Sequence, residues 1–484
     1  MININHIDLR VQNMRTRMPF RFGISTMTDV PHLLFCLEIE ENGKRALGYS
    51  SDHLPPKWFT KSPETSLEEE IEEMISVIRN ASSVALSTGP SEDLFTHWYA
   101  IHNAQKSWAT KRNIPGLLWG FGVSLVERAM IDAFCRLHAT NFGAAIRSNI
   151  FGLRFDIFDP DLKGINPVDI LPQRPDTKTI IRHTIGLSDP LTEKAISKDE
   201  QCNDGLPQSL DEVIDYYGIY YFKIKLFGEI EHDLSRLRQV AAVLDSRLSY
   251  YKFTLDGNEN YDNIEKFHSF WDKLQSERSL KKFLGGLICI EQPLSRNIAL
   301  DTQVHEHFAN WPRRPPFIID ESDGEFGDVI RALEIGYSGT SYKNCKGVFK
   351  GLFNIAYLNK MKKRFPESIY MVTSEDLSNI GPIALMQDLA VVSSLGLTHT
   401  ERNSYHYFKG LTPWPTDIQE KTLDKHSDLF VRHQLLGYPH LNIKNGEVSL
   451  KSVTNAPFGT EFEIDISNLT KLDDWKYSSM GVAT

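Results

Sequence analysis

Charged and polar residues recur at regular intervals in the middle of this chain, each group directly after a short apolar run. The groups, in chain order, are Lys223-Ile224-Lys225, Asp256-Gly257-Asn258, Glu291-Gln292-Pro293, Asp320-Glu321-Ser322 and Lys343. The acidic groups are separated by 35 residues (256 to 291) and by 29 residues (291 to 320). Each interval has the length of one strand plus one helix, so we expect the groups at the carboxyl ends of neighbouring parallel strands, where they would share one cavity.

Three carboxylates at one rim of a sheet repel each other unless a cation lies between them. Asp256, Glu291 and Asp320 offer hard oxygen donors, and their motifs contain no cysteine or histidine. Such a donor set suits Mg²⁺, with Mn²⁺ as the alternative, and leaves coordination positions for water or substrate. The three acids therefore predict a divalent-metal site.

The lysines add acid–base chemistry to this site. Lys223 and Lys225 are two positions apart on one strand, so their side chains face the same side. Lys343 comes from a later strand, which we expect roughly opposite the first across a closed sheet. Desolvation, a neighbouring ammonium and a bound cation each lower a lysine pKa toward neutrality, where lysine can remove or deliver a proton. A metal would stabilise the enolate formed when a proton leaves the carbon next to a carboxylate.

The elements that must position these groups begin near residue 180. Short apolar runs alternate there with helical stretches, in eight units over about 230 residues. Apolar strands buried on both faces and each followed by a helix predict an α/β fold, and the count is that of a (β/α)8-type (modified TIM) barrel. A doubly wound open sheet is the alternative, although it favours a glycine-rich loop after its first strand and GLSDPLTEK does not supply one.

The flanking regions differ from the barrel. Residues 1–150 read as strands followed by amphipathic helices, and residues 431–484 return to strand character with an Asn-Gly turn in LNIKNGEVSL. We therefore expect three parts: an α+β capping domain at 1–150, the barrel with its catalytic strand ends at 178–430, and a C-terminal segment at 431–484 that returns to the capping domain. Segments 60–115, 155–178 and 190–208 look like insertions.

The order of the motifs resembles that of the enolase superfamily, and within it the muconate-lactonizing-enzyme-like subgroup of the mandelate racemase/muconate lactonizing enzyme family. That subgroup carries KxK, D-x-N, E-Q-P, D-E-S and a lysine after strands two to six, and this chain reads KIK, DGN, EQP, DES and YKNCKG. Residues 126–143 (VERAMIDAFCRLHATNFG) resemble the helix before the family's barrel. The mandelate-racemase-like subgroup places a histidine on strand seven, whereas Thr373-Ser374-Glu375-Asp376 has none.

The resemblance implies roles for these positions. Asp256, Glu291 and Asp320 would be the metal ligands, Lys225 and Lys343 the acid/base pair, and Lys223 an electrostatic helper. Asn258 and Glu321, from the same motifs, would support the ligands. The family usually has a Gly-Gly pair after the strand-six lysine, where this chain reads Cys345-Lys346-Gly347, so Lys346 is a minor alternative to Lys343.

Candidate substrate-binding residues lie in loops near the predicted rim. Phe22 and His53 belong to segments that resemble the capping-domain loops that close over substrate in the family. His183 lies on strand one, and Arg402 and His406 follow strand eight. A packed or solvated role is a competing interpretation for each of these residues.

Composition excludes several classes of function. The 484 residues carry a net charge of -10, which gives no overall field for nucleic acid or an anionic membrane, and no apolar run is long enough to span a bilayer. The odd number of scattered cysteines and the absence of a leader-like start favour the cytoplasm. The expected partner is a small-molecule carboxylate substrate, and family analogy adds a homo-oligomer.

These observations predict a Mg²⁺-dependent enzyme that abstracts a proton alpha to a carboxylate. Two opposed lysines favour racemisation or epimerisation slightly, while β-elimination (dehydration or cycloisomerisation) remains open because it needs a single base. A catalytically inert barrel that acts as a binding protein is the alternative from another class. A third hypothesis is a barrel lyase in which Lys225 forms a Schiff base with a carbonyl substrate.

Overall fold

The N-terminal part of the chain is an antiparallel sheet covered by helices. The computed structural model describes residues 1–22 and 25–481, without the side chains of Phe22 and Ser25. Across these residues the sheet order is β15-β1-β2-β3, so a C-terminal strand lies at one edge. The strands are β1 (Ile2–Phe22), β2 (Ser25–Glu41), β3 (Lys44–His53) and, from the far end of the chain, β15 (Thr470–Lys471).

Four helices follow this sheet, and the first three of them pack on it. The first begins with a capping box in which Ser66 accepts from the Glu69 backbone N–H while the Glu69 carboxylate accepts from that of Ser66, and this satisfies two of the free amides of the first turn. The third is buried along nearly its whole length and packs on β2 and β3. The helices are α1 (Leu67–Ser87), α2 (Leu94–Thr110), α3 (Gly116–Leu137) and α4 (Phe142–Arg147).

A curled parallel sheet forms the second part of the molecule. Along the described chain its order is β10-β9-β8-β7-β6-β5-β4-β11, all parallel. From β4 to β10 each strand pairs with its sequence neighbour, and β11 pairs with β4. The strands are β4 (Lys178–Ile185), β5 (Tyr221–Lys225), β6 (Lys252–Asp256), β7 (Leu287–Glu291), β8 (Phe317–Ile319), β9 (Gly339–Tyr342), β10 (Met371–Ser374) and β11 (His399–Glu401).

Helices connect these strands, so the predicted α/β class is confirmed. The strands are short and mostly buried on both faces, which explains why they read as apolar runs without alternation. The connecting helices are α5 (Leu210–Tyr217), α6 (Ile230–Arg247), α7 (Ile264–Ser276), α8 (Lys281–Leu284), α9 (Thr302–Ala309), α10 (Asp328–Ile335), α11 (Val348–Arg364) and α12 (Ala384–Leu395). Two more helices, α13 (Ser404–Tyr407) and α14 (Thr416–Lys425), follow the last of these strands.

The two end strands of the curled sheet, β10 and β11, approach each other. The hydroxyl groups of Ser374 and Thr400 form a hydrogen bond of 3.0 Å between them. Arg182 of β4 also donates to the backbone oxygen of Ser374 at 3.3 Å. Side chains therefore tie the first, seventh and eighth strands of this sheet together.

The C-terminal segment contacts both parts of the molecule. Its elements are β12 (Phe430–Arg432), β13 (Pro439–Leu441), β14 (Glu447–Ser449) and α15 (Lys451–Asn455). The Asn445-Gly446 turn forms, but the strands around it separate: β13 pairs with β12, whereas β14 adds to β4 of the curled sheet. Farther on, β15 joins the N-terminal sheet. The Asn-Gly pair thus predicted where the chain reverses, but it did not predict which strands β13 and β14 pair with.

In the part of the chain that the structure describes, no helix is long and apolar enough to cross a membrane. The five cysteines are all unpaired; they are Cys36, Cys135, Cys202, Cys289 and Cys345.

Glu127 of α3 links the N-terminal helices to α11, a helix that connects two strands of the curled sheet. Its carboxylate is buried and accepts from the Phe349 backbone N–H at 2.6 Å, at the start of α11. Burial raises the pKa of Glu127 from 4.5 to about 8. Between these values the unfolded chain binds fewer protons than the folded one, so the free energy of unfolding should fall as pH rises from 4.5 to 8.

We predict that Glu127→Gln flattens this part of the stability–pH profile, measured by urea unfolding at several pH values. The exposed Glu231→Gln, on α6, serves as the control and should keep the wild-type slope. Equal slopes for Glu127→Gln and the wild type would contradict the assigned role of Glu127.

Candidate active site

The motif residues meet at the carboxyl ends of the parallel strands. Lys225, Asp256 and Glu291 are direct register partners across β5, β6 and β7, so they lie side by side on one rim. Asp320 follows β8 directly and Lys343 follows β9. The predicted convergence of the strand ends therefore occurs.

Glycine and glutamine hold the strand-end loops together. A Cβ atom on Gly257 would lie 2.3 Å from the Cα of Pro293, so only glycine lets these two loops approach so closely. The Gln292 side-chain oxygen accepts from the backbone N–H groups of Asp320 at 2.8 Å and Ser322 at 3.2 Å. The DGN, EQP and DES motifs are thus parts of one interlocked structure.

Lys223 lies at the centre of the acidic cluster. Its ammonium group forms four ion pairs, each at 3.0 Å or less, and the side chain is almost completely buried. Burial lowers a lysine pKa, but the surrounding carboxylates outweigh it and raise the pKa of Lys223 well above its usual range. The four partners are Asp256, Glu291, Glu375 and Glu401.

Lys225 and Lys343 each share a carboxylate with Lys223. The Lys225 ammonium contacts Asp256 at 2.5 Å and Asn258 at 3.4 Å. The Lys343 ammonium contacts Asp320 at 2.8 Å and Glu375 at 3.1 Å. Both lysines line the same cavity.

The pKa of each lysine moves in the direction opposite to the sequence expectation. Burial acts to lower the pKa values of Lys225 and Lys343, but the neighbouring carboxylates raise them above the usual range. Crowding by other cations lowers a lysine pKa, but each of these ammonium groups also pairs with carboxylates, which act in the opposite direction. These acids are the reason for the difference.

Lys346 does not line this cavity. Its ammonium group contacts the Asp320 carboxylate at 2.7 Å and donates to the Ser341 backbone oxygen at 3.0 Å, behind the rim. The contacts of Lys346 support the Asp320 side chain, which leaves Lys343 as the lysine of this segment that faces the cavity.

The acidic group that best fits a metal ion differs by one member from the predicted trio. Among the described residues, carboxylate oxygens of Glu291, Asp320 and Glu375 all lie within 4.8 Å of one another, and Asp256 is not part of this group. Asp256 is instead held by Lys223, by Lys225 and by the Asn258 backbone N–H. The assignment of Asp256 as a ligand therefore stays a prediction.

The carboxylate oxygens of this cluster are chemically suited to bind a divalent cation. Glu291 Oε2 is buried and makes no hydrogen bond to any residue that the structure describes, so it is an oxygen available to a ligand. Burial, followed by the charge of Glu375, raises the pKa of Glu291 well above its usual range. A buried cluster of hard oxygens with an unused donor is consistent with divalent-metal binding.

Two carboxylates of the cluster, Glu375 and Glu401, were missed as site residues in the sequence. Glu375 directly follows β10 and contacts Lys223 at 2.8 Å, Lys343 at 3.1 Å and Arg182 at 3.0 Å. Glu401 ends β11 and accepts from Asn403 at 2.8 Å. Their signal was the same as for the other acids, since each stands at the carboxyl end of an apolar run.

The predicted supporting residues contact each other. Asn258 donates to the Glu321 carboxylate at 2.8 Å, which links the loops after β6 and β8. Burial, with the charge of Asp320 next, raises the pKa of Glu321 to about 7. Their contribution to ligand binding stays a prediction.

The candidate substrate residues are packed into the interior rather than along the cavity wall. The His53 ring stacks on Phe408 and its Nδ1 lies 3.0 Å from that of His32. Three others are also buried: His183 bonds to the Tyr405 hydroxyl, Arg402 lies 3.4 Å from Asp376, and the His406 ring packs edge-on to His183. The side chain of Phe22 lies outside the described residues.

The cavity itself has one charged wall and one apolar wall. The charged wall consists of the lysines and carboxylates of the strand ends. The N-terminal part of the chain supplies the apolar wall, and this wall contains Phe20, Met27, Pro55 and Trp58. The two parts of the molecule therefore enclose one site.

This architecture is similar to that of known protein structures. No protein-family model matches the chain, and no curated protein matches it by sequence. Solved structures match it over nearly its full length. The chain has the fold of the mandelate racemase/muconate lactonizing enzyme family.

Three of these structures illustrate the match. A mandelate racemase/muconate lactonizing protein from Herpetosiphon aurantiacus is 16% identical, with a TM-score of 0.60 and coverage of 95% of this chain and 97% of that one. A dipeptide epimerase from Cytophaga hutchinsonii, complexed with Mg and a dipeptide, is 14% identical, with a TM-score of 0.57 and coverage of 98% and 99%. An N-succinyl Arg/Lys racemase from Bacillus cereus is 14% identical, with a TM-score of 0.54 and coverage of 95% and 98%.

The central position of Lys223 leads to a stability prediction. Lys223→Met should lower the free energy of unfolding by about 3–5 kcal/mol in metal-free buffer, because it leaves four buried carboxylates without their shared ammonium. Urea unfolding measures the change. Lys178→Met is the matched control, since Lys178 forms an exposed ion pair with Glu447 and its loss should change the free energy of unfolding only slightly. A similar small loss in both variants would contradict the central role of Lys223.

Proposed function

We propose that the chain is a Mg²⁺-dependent enzyme of the enolase superfamily that abstracts a proton alpha to a carboxylate. The observation that carries the proposal is that two lysines, Lys225 and Lys343, flank one buried carboxylate cluster in a shared cavity. The fold of the matched racemases and epimerases supports it. The most fitting outcome is racemisation or epimerisation.

We also propose how the parts of the chain are arranged around the site. The curled sheet closes as a (β/α)8-type barrel over residues 178–430, and residues 1–150 form a cap over its rim. The C-terminal segment, 431–484, returns to that cap. The pairing of β15 with β1 and the hydrogen bond between Ser374 and Thr400 support this arrangement.

The cation would be held by carboxylates of the cluster. Glu291, Asp320 and Asp256 are the proposed ligands, and Glu375 is close enough to take part. A bound Mg²⁺ or Mn²⁺ supplies positive charge that stabilises an enolate. Asn258 and Glu321 support the loops that carry these acids.

The lysines divide the proton transfers between them. Lys225 and Lys343 each serve one face of the alpha carbon: one delivers a proton as an ammonium, and the other removes one as an amine. The amine form requires a bound cation to offset the carboxylates that raise the pKa of each lysine. Lys223, held by four acids, stays charged and attracts the substrate carboxylate. An elimination would use the same cavity with one lysine as the base, and it is the second candidate because a single base suffices.

We also propose the partner, the location and the oligomeric state of the enzyme. Its partner is a small-molecule carboxylate, and neither nucleic acid nor a membrane takes part, in keeping with the net charge of -10. We place the enzyme in the cytoplasm as a homo-oligomer. The five unpaired cysteines support a reducing compartment.

Metal binding provides a test without a substrate. Mg²⁺ or Mn²⁺ should raise the melting temperature of the wild type, because a ligand that binds only the folded state stabilises it. Glu291→Gln should lose this rise, since it removes the charge of the ligand whose Oε2 is unused.

The matched control for this test is Glu127→Gln, an equally buried glutamate outside the cavity, which should keep the full metal-induced rise. If the wild type shows no rise with either metal, the metal-dependent mechanism is wrong. An inert binding barrel would then be the better reading.

Proton exchange tests the reaction. We predict that the enzyme with Mg²⁺ incorporates deuterium from D₂O at the alpha carbon of a member of a panel of amino acids, N-succinyl amino acids, dipeptides and sugar acids, followed by NMR. Lys225→Ala and Lys343→Ala should each abolish racemisation, and each should retain exchange of the enantiomer served by the other lysine.

The alternative reactions give different results. Loss of a leaving group without racemisation would assign an elimination. A covalent adduct at Lys225 after borohydride treatment with a carbonyl substrate would instead assign Schiff-base chemistry and overturn the proposal.

A further inference from the structure

The two lysines that flank the cluster have different surroundings. The Lys343 ammonium lies 4.4 Å from the centre of the Trp58 ring, in addition to its contacts with Asp320 and Glu375. Within the described part of the chain, no aromatic ring lies over Lys225, which contacts Asp256 and Asn258. One lysine is therefore covered by an indole and the other is not.

Trp58 comes from the N-terminal part of the chain and not from the parallel sheet. It belongs to a segment of seven residues, 55–61, that we call the strap, which follows β3 and reaches the rim of the sheet. The Trp58 side chain is buried and lines the cavity beside Lys343. A cation over an indole ring is attracted by its electron-rich face, and the attraction is strongest where water is excluded.

The strap is fastened to the loops that carry the acidic motifs. Arg296, in the loop after β7, donates to the backbone oxygens of Trp58 at 2.9 Å and Phe59 at 2.6 Å. The same guanidinium pairs through two nitrogens with Glu259, in the loop after β6, at 2.8 and 2.9 Å. Lys61 also donates to the Asn258 backbone oxygen.

The strap is held from its other side by the N-terminal helices. The Lys57 ammonium pairs with Glu70 of α1 at 2.9 Å. The Phe59 ring packs on Phe121 of α3, with ring centroids 4.7 Å apart, and lies edge-on to Trp58 at 4.8 Å. Because the backbone of Trp58 is fixed from both sides, its ring has little freedom to leave Lys343.

We propose that Trp58 is a positioning residue that holds the Lys343 ammonium on its side of the cavity. The indole takes up the side of the ammonium that the Asp320 and Glu375 carboxylates leave uncovered, and so directs the Nζ atom between them. The part of this inference that concerns catalysis rests on the proposed function; the part that concerns geometry does not.

The consequence is an asymmetry between the two proton transfers. Loss of the indole should slow transfer on the face served by Lys343 and leave the face served by Lys225 nearly unchanged. A general loss of substrate binding, in contrast, would slow both faces equally. The ratio of the two exchange rates therefore separates positioning of the lysine from a structural effect.

The first experiment measures geometry without a substrate. In the metal-free protein labelled with ¹³C at the lysine ε carbons, the Lys343 ε protons, assigned by Lys343→Met, should be shifted upfield by the Trp58 ring current. Trp58→Leu should remove this shift and Trp58→Phe should keep part of it. The control Trp271→Leu changes a buried tryptophan of α7 and should leave the resonance in place.

The second experiment measures exchange in D₂O, with Mg²⁺, of both enantiomers of the panel member that exchanges. Trp58→Leu should lower the rate on the Lys343 face by roughly tenfold relative to the Lys225 face, and Trp58→Phe should lie between it and the wild type. The Lys343 face is identified as the one that Lys343→Ala abolishes.

The outcomes distinguish the two proposals. An unshifted Lys343 resonance in the wild type, or the same shift in Trp58→Leu, overturns the positioning role whatever the reaction is. A normal ring-current result with no exchange of any panel member leaves the geometry intact and counts against the proposed function. Equal slowing of both faces in Trp58→Leu shows that Trp58 acts on substrate binding and contradicts the inference.

Discussion

Compensation of buried carboxylates by lysine ammonium groups is the constraint on which the site depends. Lys223 contacts four acids at the carboxyl ends of four different strands at 2.7–3.0 Å. Such acids would otherwise repel each other in a medium that screens charges poorly. Lys225 and Lys343 extend the pairing on either side. The positions of all three lysines therefore depend on the acids, and the acids on the lysines, so the cluster behaves as a unit.

The N-terminal part of the molecule completes this unit. It covers the charged wall of the cavity with the apolar side chains of Phe20, Met27, Pro55 and Trp58. Exclusion of water strengthens every charge interaction beneath these side chains. Arg296 and Glu259 show how this closure is achieved, because they fasten the strap to the same loops that hold the acidic motifs.

Much of the fold and part of the site could be predicted from local patterns. Apolar runs alternating with helical stretches predicted the α/β class, and the acids that follow those runs predicted that Lys225, Asp256 and Glu291 lie side by side. The exchange of Asp256 for Glu375 in the most compact acidic group could not be predicted, because it depends on which carboxylate each ammonium takes. Likewise, the Asn445-Gly446 turn was evident, whereas β14 joins β4 through a contact between distant parts of the chain.

By itself, the sequence determined which chemical groups arrive at the rim and in what order, because strand and helix lengths follow from hydrophobic periodicity and each charge directly follows its strand. Only the tertiary structure decided how those groups pair. Lys223 rather than Lys225 took the centre, Lys346 turned behind the rim, and Trp58 came from another part of the chain to cover Lys343. These choices depend on distances between residues far apart in the chain, which no local pattern encodes.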